Sequence, residues 1–88
     1  YTRRYTLSLH DALPIFFLEA LRYHAVNLIL IHNHPGGNPS PSVCDKEITE
    51  RISQAGEMLG ICLLDHIIIG DQRYVSFREQ GLLDEYPV

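Results

Sequence analysis

Residues 32–45 read HNHPGGNPSPSVCD, and both the fold and the chemistry of the chain turn on that stretch. An apolar run at 26–31, VNLILI, leads into it and reads as a buried strand, whose period of two turns His32 and His34 to the same side. Two imidazoles then converge on one point. The loop 35–41 holds three prolines and two glycines, so neither strand nor helix continues through it. Ser40 followed by Pro41 is one helix-start signal, and Ser42-x-x-Asp45 is a second. Either puts Asp45 in the first turns of a helix, where its carboxylate reaches back toward the strand end. The donor set His, His, Asp leaves one position of a tetrahedral zinc shell open for water, which is the catalytic kind of site. The plain alternative is two loop histidines that hydrogen-bond locally beside two helix-capping groups, and capping and ligation are not exclusive.

Eighty-eight residues allow one small domain with a modest core and leave no room for a second. Hydrophobic residues make up 45% and charged residues 20%, the balance of an ordinary globular domain. Cys44 and Cys62 fit no zinc-knuckle or C-x-x-C spacing, which predicts free thiols in a reducing cytoplasm. No apolar run approaches the roughly 20 residues of a membrane span, and no apolar segment followed by a small-residue cleavage site marks a secretion signal. A soluble cytoplasmic protein is expected. The formal charge is -4, and no basic patch with interleaved aromatics is present, so nucleic acid is a poor partner for this part of the chain.

Apolar residues at Phe17, Leu21 and Ala25 predict a helix over 16–25, with Pro14 in its first turn. Beyond the loop, Cys44, Ile48, Ile52, Ala55 and Leu59 form a helical stripe, and Gly60 closes that helix. Cys44 is thereby expected in the core. Residues 61–69, ICLLDHIII, read as a central strand, and Gly70-Asp71 begins a tight turn into a short strand over 73–77. Residues 80–88 read as a loop and frayed tail. Asp65 and His66 interrupt the apolar strand and each needs a partner, which points to a structural hydrogen-bonded pair near the site rather than to further ligands. His10 and His24 are expected at the surface, and Glu47, Glu50 and Glu57 on a solvated helix face. The order helix, strand, helix, strand, strand predicts an α/β (α+β) domain, a mixed sheet with flanking helices.

The spacing H-x-H-x7-S-x2-D, here His32, His34, Ser42 and Asp45, resembles the signature of the JAMM metalloproteases, also called MPN+ or JAB. Residues 32–37, the LGICLLDHIIIG run at 59–70 and YVSFREQGLL at 74–83 are similar to the RadC branch of that family. Many relatives carry Ser-Gly where this chain has Gly36-Gly37, a change confined to the turn. The resemblance covers about residues 16–88. Residues 5–15, YTLSLHDALPI, instead resemble a translated sequencing adapter, so residues 1–15 are set aside as an assembly artefact and 16–88 read as the C-terminal part of a RadC-like JAB/MPN domain, truncated at its N-terminus. Without residues 1–15 the charge is five basic against ten acidic residues, a net of -5.

The resemblance implies a three-layer fold like that of the cytidine deaminases. Deaminase chemistry itself is disfavoured, because the H-x-E and P-C-x-x-C pair is absent. It implies zinc on His32, His34 and Asp45, with Ser42 as the catalytic donor to an oxyanion, in a metallopeptidase or isopeptidase acting on a peptide or isopeptide substrate. The family's general base is a Glu on an earlier strand, and neither Glu19 nor Asp11, the only acids upstream of His32, matches it. The alternative is a non-catalytic or DNA-repair-associated interaction domain that keeps the zinc site.

Overall fold

The chain runs α1 (Leu9–Arg22), β1 (Asn27–Asn33), α2 (Val43–Leu59), β2 (Cys62–Ile69) and β3 (Tyr74–Ser76), the order that its periodicities predict. The computed structural model describes residues 9–83, with side chains from residue 14 onward. The expectations for the side chains of His10 and Asp11, for most of the segment 1–15 and for the tail beyond 83 therefore lie outside the described residues.

Strand ends shift by one or two residues, and both ends of the first helix differ from the sequence reading. The first helix starts earlier, at Leu9, so Pro14 stands in its interior rather than its first turn, where it offers no N–H to the carbonyl four residues back. That helix also stops at Arg22 rather than Ala25. His24 turns into the left-handed region at φ 54, and the amides of His24 and Ala25 fold back onto the carbonyls of Leu21 and Ala20 at 3.1 and 2.9 Å. A glycine usually makes this stop, so a histidine there gives no warning.

Of the two helix-start patterns, the second is the one used. Ser42 is the N-cap of α2: its hydroxyl accepts from the Asp45 amide at 3.0 Å and its own amide donates to Asp45 Oδ2 at 2.8 Å, a reciprocal capping box. Gly60 closes the helix at φ 76, as expected, with the Ile61 amide bonded to the Gly56 carbonyl at 2.7 Å. The buried face between these ends comprises Asp45, Ile48, Thr49, Ile52 and Gly56. It is rotated from the predicted stripe, so Cys44 and Leu59 are exposed rather than in the core. Both cysteines are free thiols.

The sheet order is β1-β2-β3, with β1 parallel and β3 antiparallel to a central β2. Register slips between Leu28 and Ile29: Leu28 faces Leu63, but Ile29 faces Asp65, leaving Leu64 as an extra residue. The bulge lets Leu63 and His66, an odd number of residues apart, both point toward α2. Leu63 joins Phe17, Ala20, Leu30, Ile48, Ile52 and Ile61 in the main core, and both helices contribute to it. Ile68, Phe77 and His66 are also buried. The opposite sheet face exposes Ile29 at 52%, Ile31 at 60% and Ile69 at 41%. A layer covering that face, as in a three-layer fold, is not among the described residues. No helix among them is long and apolar enough to cross a membrane.

Candidate metal centre

The alternation that sends Leu28 and Leu30 inward carries His32 to the same side of β1, and His34 follows one residue beyond the strand. The loop after it is held from two directions. The His34 amide donates to the Ile69 carbonyl at 2.9 Å, and the Gly37 amide to the His34 carbonyl at 3.0 Å. From the far side, the Asp71 amide donates to the Gly37 carbonyl at 2.7 Å. Gly70 lies so close that a Cβ there would meet that carbonyl oxygen at 2.3 Å. Gly37 itself needs the left-handed conformation, φ 89, which a β-carbon would strain. An open cleft beside His34 is lined by Asn33, Pro35, Gly36, Gly37, Gly70 and Asp71.

Three side chains meet where the loop returns. Asp45 Oδ2 lies 3.0 Å from His34 Nε2, and Asp45 Oδ1 lies 3.3 Å from His32 Nδ1. The two imidazoles stand edge to face, with centroids 4.8 Å apart. One ligand-capable atom from each of His32, His34 and Asp45 lies within 4.8 Å of the others, so this group can hold a metal ion. Ser42, whose hydroxyl and amide both engage Asp45, sits at the rim and is exposed.

The hydrogen bonds and electrostatics of the cluster suit such a role. A carbonyl only accepts, so the 2.9 Å contact between His34 Nδ1 and the Asn38 carbonyl puts a proton on Nδ1 and turns Nε2 toward Asp45. Burial lowers the pKa of His32; Asp45 opposes that effect and His34 adds to it, so the net direction is toward the neutral ring. Burial alone would raise the Asp45 carboxyl, but the Ser42 hydrogen bonds and the two histidines outweigh it and hold the group below its ordinary value. Asp45 is 4% exposed. Its ion-pair partners among the described residues are these imidazoles, not a lysine or arginine. His32 Nδ1 is also buried without a hydrogen bond, because its approach to Asp45 lacks hydrogen-bonding geometry. A buried carboxylate with an imidazole nitrogen turned toward each of its oxygens is a donor set that fits a cation.

Asp65 and His66 do not pair through their side chains, as the sequence reading expected; only the His66 amide reaches Asp65, at 2.8 Å. Adjacent strand residues point to opposite faces, and each finds its own partner. Asp65 accepts from Ser76 Oγ at 2.5 Å and the Arg78 amide at 3.0 Å. His66 Nδ1 lies 2.5 Å from Thr49 Oγ1. Thr49 was missed as a site neighbour, though its spacing of four from Asp45 on a helix was the available signal. His24, Glu47, Glu50 and Glu57 are exposed, as expected.

Burial, helped by His32 and opposed by Asp45 and Asp65, pushes His66 down to about 4. The folded protein therefore keeps it neutral, whereas the unfolded chain takes up a proton near pH 6.5. Stability conferred by the neutral ring is complete above that value and is lost as pH falls toward 4. Metal-free protein should lose about 2 kcal/mol between pH 7 and pH 4.5, read as a fall in the urea midpoint. Asp45, held low, adds loss only at more acid pH. An unchanged midpoint over that interval would contradict a neutral His66.

Fold and site together define a small α+β domain built around a possible metal-binding triad. The chain belongs to the RadC-like JAB domain family, whose family model matches residues 12–82. It is 55% identical over 67 residues to a UPF0758 protein of Bacillus licheniformis, covering 76% of this chain and 30% of that protein. A UPF0758 protein of Trichlorobacter lovleyi is 60% identical, covering 76% and 29%, and one of Thermotoga maritima 52% identical, covering 76% and 30%. The chain thus spans under a third of the length of these relatives.

Proposed function

We propose that this chain carries the metal-holding part of a zinc-dependent JAMM-type peptidase or isopeptidase domain. The convergence of His32, His34 and Asp45 at the junction of β1, the loop and α2 carries the reading. His32, His34 and Asp45 would hold the zinc, which would supply Lewis acidity to polarise a scissile carbonyl and activate a water. His34 is oriented for this by the Asn38 carbonyl, and Asp45 by the Ser42 amide. Ser42 Oγ accepts from the Asp45 amide, so its own proton is free to be donated to an oxyanion developing at the rim. The open cleft beside His34 gives an extended peptide or isopeptide a place to lie.

Among the described residues no glutamate joins the triad, so the base that takes the water proton has to come from elsewhere in a complete domain. That shortage favours a second reading, a non-catalytic or DNA-repair-associated interaction domain that retains zinc. Metal analysis of the purified chain tests the site, with one zinc per chain expected; a chain that stays metal-free in micromolar zinc would end the reading. Ser42→Ala in a full-length chain separates the two functions. A peptidase loses about 10²-fold in kcat with KM little changed, whereas an interaction domain hydrolyses no amide before or after the change.

A further inference from the structure

The pair Thr49 and His66 lies behind the triad and belongs to neither the donor set nor the main apolar core. Thr49 is 2% exposed and His66 is fully buried. Thr49 Oγ1 donates its one proton to the Asp45 carbonyl at 2.7 Å. The 2.5 Å contact with His66 must then run the other way, with Nδ1–H donating to the hydroxyl oxygen. His66 Nε2 is left as a bare acceptor, buried with no hydrogen-bond partner. The His66 ring is stacked on Phe77 on one side, 4.6 Å between centroids, and on His32 on the other, at 5.9 Å. An imidazole with an unpartnered nitrogen is a costly way to fill a core position that leucine or phenylalanine would fill without loss. What the histidine adds is a link from central strand to helix, in contact with His32.

We infer that Thr49 and His66 are positioning residues: a buried brace from β2 to the first turns of α2 that holds the Asp45 carboxylate in register with the imidazoles from β1. The inference rests on the reading that the triad binds metal. The brace works at the backbone of Asp45 and at the ring of His32, so it fixes both sides of the site without touching the ion. Removing it leaves the donors present but misaligned.

Zinc affinity, measured by competition with a chromophoric chelator, and the visible spectrum of the cobalt-substituted protein test the brace. Thr49→Val keeps the shape and removes the hydroxyl; it is expected to weaken zinc binding by about 10-fold or more and to shift the cobalt bands. Thr49→Ser, which retains the hydroxyl, is expected to restore both, a rescue that packing alone does not produce. Long-range ¹H–¹⁵N correlation on the unsubstituted protein supplies an arm that needs no variant: His66 protonated at Nδ1 supports the brace, and protonation at Nε2 overturns it. Should the unsubstituted chain bind no zinc, the metal reading fails and the brace with it. Should it bind zinc while Thr49→Val shows the same affinity and spectrum, the brace alone is overturned.

Discussion

Asp45→Ala is expected to weaken zinc binding by at least about 100-fold, beyond the usual effect of losing an outer partner. One carboxylate serves two structures. Its oxygens lie 3.3 and 3.0 Å from the two imidazoles, and Oδ2 also accepts the Ser42 amide that opens α2. Alanine therefore removes a proposed ligand and half of a capping box, and the cap alone contributes about 1 kcal/mol. Asp45→Asn separates the roles, because the amide oxygen still accepts from Ser42 but carries no charge. Isothermal titration with zinc should show both variants disabled, while urea unfolding shows asparagine to be the milder change in metal-free protein. Tight binding retained by both variants would remove Asp45 from the ligand set.

Gly70→Ala is the second large effect. The added carbon would stand 2.3 Å from the Gly37 carbonyl oxygen and 2.7 and 2.9 Å from Pro39 Cδ and N. These obstacles are backbone and a rigid ring, so the turn after β2 and the loop after β1 have to separate. A loss of about 3 kcal/mol is expected, at the upper end for overpacking, and zinc affinity should fall with it because the same loop carries His34. Gly60→Ala is the control: nothing lies within 4 Å of its added carbon, so only the left-handed conformation is penalised, by about 1 kcal/mol. Equal losses at the two positions would show that the loop yields and that the contact does not matter.

Much of this architecture could be read from local pattern. The apolar run before His32, the Pro/Gly interruption and the Ser42-x-x-Asp45 box each report on a few neighbouring residues, and they place the imidazoles and the carboxylate on the elements where they are found. Features that depend on packing were not legible. The extra residue at Leu64 leaves no mark in an apolar run, yet it decides that His66 faces α2. The stop at His24 uses a residue that rarely takes that conformation. The apolar stripe Cys44, Ile48, Ile52, Ala55 and Leu59 marks the helix but not its exact phase, because hydrogen bonds let the polar Asp45 and Thr49 be buried and turn Cys44 outward.

The parallel pairing of β1 with β2 forces the chain to cross over through α2 between them. Imidazoles therefore enter the site before the crossover and the carboxylate during it, and no chelate exists until that helix lies down on the sheet. A metal ion held there, as proposed, would act as a clasp on the crossover. Peeling the helix away and releasing the ion become one event, and resistance to melting should climb with the logarithm of free zinc.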